Sequence, residues 1–385
     1  MTSQTDHKPT LFLCADHGLA VIYFLQSDVL PTLLDAGLQV VVLTDDALVD
    51  GIKQRFDRPG LAVEGLRLKS VEKYAAEVHP EIQWWLGFLR RVGSSGRINT
   101  EAQDAYVAQV AVEMGRRRLV WMPLARLYIQ GLRRSRRLRQ GLVKFQQRFT
   151  PDLYGDLFER YQPDLVVAST HGWRLDRYLL REAAAHGIPT AVAIVGWDNP
   201  SSYGLRGAPV EHITCWSELQ KAELVDGSDW APERVHIGGI PSYDGYFRQE
   251  WLLPREEYFR LHRLDPQRKL LSYAASFVSF APNYRNIEAL ARLVASDGLT
   301  APCQLLIRLH PNHFWDNPLY SGEREQIRRL AEQYPHVHVV EPVPLGGSLG
   351  YYSGEDMPEK SSMMAHSDVF LTVYSTMVVE AACHG

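Results

Sequence analysis

Four short stretches of this 385-residue chain combine side chains that can bind an anion or move a proton, and each follows an apolar run of strand length. In Arg308-Leu-His310-Pro311 the arginine offers a planar fork of donors. The histidine adds a donor that can also protonate a departing oxygen, so the pair suits a phosphate. Tyr374-Ser375-Thr376, followed by Glu380, sets hydroxyls where a helix is expected to begin. Free N–H groups at a helix start attract anions, and a carboxylate one turn further in can accept from ribose hydroxyls. In Gly196-Trp197-Asp198-Asn199-Pro200-Ser201-Ser202, Asp198 is the first candidate for a general base. Trp197, Asn199 and Ser201 would hold the hydroxyl it deprotonates, although the same residues are also ordinary turn chemistry. Asp16-His17-Gly18 supplies the second candidate base, His17.

What is missing narrows the chemistry. Cys14, Cys215, Cys303 and Cys383 lie far apart without CxxC or Cys/His ligand spacing, so neither a zinc site nor a disulfide framework is signalled. There is no GxxxxGK[ST], HExxH, GxSxG or Asp-x-Asp pair. A departing phosphate would have to be neutralised by arginine, helix dipole and hydroxyls, with no metal or cofactor expected.

A composition of 45% hydrophobic and 22% charged residues excludes a disordered chain, a collagen and a coiled coil. The opening MTSQTDHKPT has neither the basic nor the apolar region of a signal peptide. No apolar run reaches the roughly 18–20 residues that span a bilayer. The expected location is cytoplasmic, or peripheral on the inner face of the plasma membrane. The net charge of −4 hides an asymmetry: eleven cations and no acid stand between Arg116 and Arg148. Leu119, Val120, Trp121, Met122, Leu124, Leu127, Tyr128, Ile129 and Leu132 interleave with them. That mixture predicts an amphipathic helix suited to an anionic membrane surface. No nucleic-acid reading motif accompanies it, so nucleic acid is not an expected partner.

The elements that must position these groups alternate strand and helix. Leu11–Ala15, Gln39–Thr44, Asp164–Ser169, Pro189–Val195, Ile213–Trp216 and Val235–Ile237 read as strands of a first domain, 1–245. Lys269–Ala274, Gln304–Arg308, Val337–Glu341 and Asp368–Thr372 read as strands of a second, 246–385. Leu175–His186, Asn283–Ala295 and Glu323–Gln333 read as helices between them. Residues from about 72 to 150 form a helical, basic insertion in the first domain. The fold class is therefore α/β, two Rossmann-like doubly wound domains. Ligands of such sheets sit outside the carboxyl ends of the strands, where all four stretches fall. A final helix ending in Gly385 with no strand after it predicts an incomplete second domain.

Two such halves, with Val235-His-Ile-Gly-Gly-Ile-Pro-Ser-Tyr-Asp244, Arg308-Leu-His-Pro311, Ser367-Asp-Val-Phe-Leu-Thr-Val-Tyr-Ser-Thr376 and Glu380-Ala-Ala, resemble the GT-B nucleotide-sugar glycosyltransferases. The nearest branch is the CDP-glycerol glycerophosphotransferase and surface-polysaccharide group. The resemblance implies two domains facing a cleft, with a nucleotide-sugar or CDP-polyol donor on the second and a saccharide or lipid-linked acceptor on the first. Arg308 and His310 would hold the diphosphate, Ser375 and Thr376 a phosphate, and Glu380 the ribose. Glycerophosphotransferases carry His-Gly where this chain has Trp197-Asp198, which favours a sugar over a glycerophosphate. The expected function is a metal-independent glycosyltransferase of cell-envelope or polysaccharide assembly. Three alternatives stand beside it: a glycerophosphotransferase, a hydrolysing UDP-N-acetylglucosamine 2-epimerase, and a non-catalytic relative that binds anionic lipid.

Overall fold

A computed structural model describes residues 8–174, 176–277, 283–314, 316–342, 356–373 and 375–385. Leu175, Tyr374 and the first seven residues, which the sequence reading used, lie outside them. The chain divides into two units, Met1–Ile240 and Pro241–Gly385, five residues before the expected boundary.

The first unit is built on seven parallel strands: β1 (Thr10–Cys14), β2 (Gln39–Thr44), β3 (Leu61–Gly65), β4 (Leu165–Ala168), β5 (Thr190–Ala193), β6 (His212–Cys215) and β7 (Val235–Ile237). Their order across the sheet is β3-β2-β1-β4-β5-β6-β7. In β1, Leu11 pairs with Val40 on one side and Leu165 on the other. Both faces of β1 and β2 are buried, as expected of central strands in a parallel sheet covered by helices. Phe12, Val41, Leu43, Val166, Tyr178 and Leu179 form part of the core, all fully buried. Each such aliphatic or aromatic side chain contributes about 1.5–3 kcal/mol of transfer free energy.

The insertion between β3 and β4 is a packed helical subdomain. It runs through Leu68–Glu77, Pro80–Val92, Glu101–Glu113, Arg116–Leu119, Met122–Arg134 and Arg136–Gln146. Phe88, Val92, Val110, Met122, Ala125 and Ile129 make a small core of their own. Pro123 stands in the first turn of its helix, where its missing N–H costs nothing.

In the second unit, β8 (Lys269–Ala274), β9 (Cys303–Arg308), β10 (Val337–Val340) and β11 (Val369–Thr372) form a parallel sheet ordered β10-β9-β8-β11. Helices Asn283–Ala295 and Pro318–Gln333 pack Ile287 and Ile327 onto Leu305 and Ile307. Each sheet therefore reverses its direction of winding once, beside β1 in the first and beside β8 in the second. The crevice that binds ligands in doubly wound sheets opens at such a reversal, outside the carboxyl ends of the strands.

Candidate functional site

At the first reversal, the segments leaving β1 and β4 bring Asp16, His17, Ser169, Thr170 and Arg174 together. His17 Nδ1 lies 2.7 Å from Asp16 Oδ1, with both side chains buried. A proton on Nδ1 donates to the carboxylate, so in the neutral ring it is Nε2 that carries the lone pair a general base requires. Ser169 Oγ donates to the same Asp16 oxygen at 3.0 Å, and Arg174 Nε donates to Oδ2 at 3.1 Å. Burial pushes the Asp16 carboxyl up, but His17, Arg174 and Ser169 together outweigh it and hold it below the usual carboxylate range. Asp16 is thus an ionised group built to orient and stabilise the imidazole.

Asp176, the first residue of helix Asp176–Ala185, behaves in the opposite way. Burial, reinforced by the charge of Asp16, pushes its carboxyl up to about 7. Thr170 Oγ1 donates to one of its oxygens at 2.5 Å, and the other has no partner among the described residues. Two buried carboxyls within electrostatic reach of each other thus have separated pKa values, one ionised and one half-protonated near neutral pH, and the ionised one holds the imidazole. Such separation marks sites of acid and base chemistry.

Backbone geometry fixes this corner. Gly172 has φ +87°, and a Cβ there would meet the Gly207 Cα at 2.8 Å, so neither the turn nor the packing admits another residue. The Gly207 N–H donates to the His171 carbonyl at 2.7 Å. Trp173 stacks on Tyr203 with ring centroids 4.3 Å apart, closing the side toward β5. His17 ends in an extended conformation just before helix Gly18–Val21, which continues as a π-helix over Ile22–Gln26. Segments of that kind recur at functional sites.

The Trp197–Ser202 stretch follows β5 and forms a capped turn. The Asn199 side chain accepts from the Gly196 N–H at 2.9 Å, Ser201 donates to the Asp198 carbonyl at 3.1 Å, and helix Asn199–Ser202 spans four residues. Trp197 and Asp198 are exposed. Among the described residues the Asp198 carboxylate meets only the Asn199 amide, at 3.4 Å, so none of them holds it in position as Asp16 holds His17.

In the second unit, Arg308 ends β9 and is buried, its Nη2 paired with the Asp356 carboxylate. Its Nη1 is buried with no partner among the described residues. His310 Nδ1 lies 2.7 Å from Asn312 Oδ1 and 3.1 Å from the Asn312 backbone nitrogen, so Asn312 holds the ring on its Nδ1 side and Nε2 is the nitrogen left to a ligand. Burial, with Arg308 and His313 adding, lowers its pKa to about 4, so at neutral pH the ring is uncharged. An uncharged His310 ring can meet a phosphate oxygen through Nε2, and it would have to take up a proton before giving one to a departing oxygen. The loop is braced: the His310 N–H donates to His313 Nδ1 at 3.0 Å, and His313 Nε2 meets Glu323 at 2.9 Å.

Glu380 is buried too, whereas the sequence placed it at a ribose. Lys360 Nζ lies 2.5 Å from one carboxylate oxygen, and the Tyr246 hydroxyl donates to the same oxygen. Burial raises its pKa, but Lys360, Tyr246 and Arg308 bring it below the usual value. Thr376 donates to the other oxygen at 3.4 Å, and Ser375 Oγ accepts from the Met377 N–H at 3.2 Å. Helix Met377–Ala382 is only six residues long. The structure brings Arg308 into electrostatic reach of both His310 and Glu380. It engages the serine, threonine and glutamate with the protein itself.

Ser169, Thr170, Arg174 and Asp176 are site residues that sequence reasoning passed over, although it read β4. The signal was available: in a sheet wound both ways from β1, the end of the first strand after the crossover faces the end of β1. Asp356, Lys360 and Tyr246 carried no such signal. One group of possible metal ligands, Asp152, Glu182 and His186, occurs among the described residues, away from either cluster. Both Glu182 oxygens already accept backbone N–H groups, from Leu153 and Tyr154.

No family model matches the chain, and no curated protein is similar to it in sequence. Solved structures are similar to it in fold. The S. aureus MnaA–UDP co-structure has 11% identity and TM-score 0.51, covering 94% of this chain and 73% of that one. UDP-GlcNAc 2-epimerase from Neisseria meningitidis bound to UDP-GlcNAc has 13% identity and TM-score 0.50, covering 94% and 77%. UDP-N-acetylglucosamine 2-epimerase from Rickettsia bellii has 10% identity and TM-score 0.51, covering 97% and 76%. At these identities the likeness establishes the fold: two Rossmann-like α/β units of the GT-B kind.

Proposed function

We propose that the chain is a nucleotide-sugar enzyme that transfers the sugar to an acceptor hydroxyl, with His17 as the base and the donor nucleotide held by the C-terminal unit. The observation that carries this reading is the buried His17–Asp16 pair at the winding reversal of the first sheet. The fold shared with structures that bind UDP and UDP-GlcNAc supports a nucleotide-sugar ligand. The acceptor is of the envelope or polysaccharide kind that the sequence resemblance implies. Asp198, first on sequence grounds, yields the role of base to His17 because it is exposed and unoriented.

In this reading the acceptor oxygen attacks the anomeric carbon while its proton passes to His17 Nε2. The bond from that carbon to the diphosphate oxygen breaks, and the electron pair leaves with the nucleotide. Asp16 stabilises the imidazolium that forms, a contribution of about 10²–10⁴ in rate for a positioned base. Arg308 Nη1 is the unspent donor suited to the diphosphate, with His310 Nε2 the second nitrogen that would meet it. A second reading, the hydrolysing 2-epimerase, is favoured by one feature: Asp176, held near neutral pKa beside Asp16, gives the site the additional carboxyl that proton exchange at a sugar carbon needs.

Incubation with UDP-, GDP-, CDP- and dTDP-sugars, with and without acceptor fractions, separates these outcomes. A new glycoside with released nucleoside diphosphate supports transfer, and free epimerised sugar supports the second reading. If no donor is consumed, both fail.

A further inference from the structure

The helical insertion carries an apolar surface that its own core does not use. Helix Met122–Arg134 turns Met122, Ala125, Ile129 and Leu132 inward, all buried. A second apolar stripe faces out: Val120 is 76% exposed, Trp121 58%, Leu124 58% and Leu127 65%. Between this helix and Pro80–Val92 lies a groove of about 550 Å³ walled by Trp85, Leu89, Trp121, Leu124, Ala125 and Tyr128. Its walls are apolar or aromatic throughout. Solvent-exposed patches of that kind mark interaction sites.

Charge in the same segment identifies the partner. Four of the eleven cations in the basic stretch pair with acids from elsewhere in the fold: Arg118 with Glu81, Arg133 with Asp104, and Arg136 and Arg139 with Asp229. Arg117, Arg126, Arg134 and Arg137 are exposed and make no ion pair among the described residues. No helix among the described residues is long and apolar enough to cross a membrane. An exposed apolar stripe with aromatic edges, in a segment that also carries unpaired exposed arginines, matches the composition of a surface that binds an anionic bilayer. A soluble protein partner would have to cover the apolar groove while presenting acids to the exposed arginines of the same segment.

We infer that this face docks on a membrane of anionic phospholipid, with an acyl chain entering the groove between helices Pro80–Val92 and Met122–Arg134 and the exposed arginines on the headgroups. The inference stands apart from the nucleotide-sugar reading and survives its failure.

Co-sedimentation of the full chain with phosphatidylcholine vesicles, with and without phosphatidylglycerol, tests it. Binding is expected only to the anionic vesicles and should weaken as salt shortens the Debye length. Arg126→Gln with Arg137→Gln should lose about fivefold per charge and flatten the salt dependence. Trp121→Ser with Leu124→Ser, at exposed positions, should lose at least about tenfold while keeping the salt slope. Brominated acyl chains should quench the fluorescence of the parent protein more than that of the Trp121→Ser, Leu124→Ser variant. Three results overturn the proposal: equal binding to neutral vesicles, anionic binding that the apolar variant leaves intact, or a dimer in lipid-free solution that the apolar variant abolishes.

Discussion

The two sheets reverse their winding in the same way, yet the charged groups gathered at the two strand-end clusters are put to opposite uses. Beside β1, the carboxyls of Asp16 and Asp176 are driven apart in pKa, and an imidazole nitrogen is left with a free lone pair. At the C-terminal cluster, the buried charges among the described residues are paired: Arg308 with Asp356, and Lys360 with Glu380. The first arrangement can exchange protons. The second is a locked frame with a spare donor on Arg308. Equal topology therefore does not give equal chemistry, because the sheet supplies the position and the balance of charge decides what happens there.

The largest expected effect attacks the first half of this contrast. His17→Ala should lower turnover of the productive donor by about 10²–10⁴, and Asp16→Asn by a comparable factor because the wrong tautomer is then favoured. Steady-state kinetics on folded variants checks both. Next, Arg308→Met removes one partner of a fully buried pair and strands Asp356. A loss of about 3–5 kcal/mol of stability is expected in denaturant titration, and this should exceed the loss from any single change at the first site.

A smaller effect depends on pH. Asp176 rises from an ordinary value of 3.8 to about 7, so between these values the folded state holds a proton that the unfolded state releases. Stability from this group is complete below pH 4 and lost as pH rises through 7, by an amount on the order of a few kcal/mol. Asp176→Asn should flatten thermal stability across that window, whereas Asp16, shifted the other way, acts only below about pH 4. An unchanged pH profile in Asp176→Asn would remove the case for two distinct carboxyls. The smallest effect belongs to Asp198→Ala: within about 0.5 kcal/mol in stability, with turnover reduced less than tenfold. A loss as large as that of His17→Ala would return the base to the position the sequence favoured.

Most of the scaffold could be read in advance because parallel strands buried on both faces are continuous apolar runs. Gln39–Thr44, Val235–Ile237 and Lys269–Ala274 have the bounds expected. The strand β3 escaped notice, since Leu61–Gly65 is half-exposed on all five residues and lacks such a run. Of the site, His17, Arg308, His310 and Glu380 were legible as polar residues near strand ends. Their states were not: pairing of Glu380 with Lys360, or of Arg308 with Asp356, joins residues 20 and 48 positions apart through packing that no local pattern encodes. The raised carboxyl of Asp176 likewise depends on burial and on a neighbour 160 residues away.

Calorimetric titration of UDP, GDP, CDP and dTDP into the parent protein and into His17→Ala tests the division of labour most directly. Saturable binding of at least one nucleoside diphosphate is predicted, with a Kd that the substitution changes by no more than about twofold, since it removes a proton acceptor and not a diphosphate contact. Absence of heat with all four, or binding that His17→Ala abolishes, would contradict it.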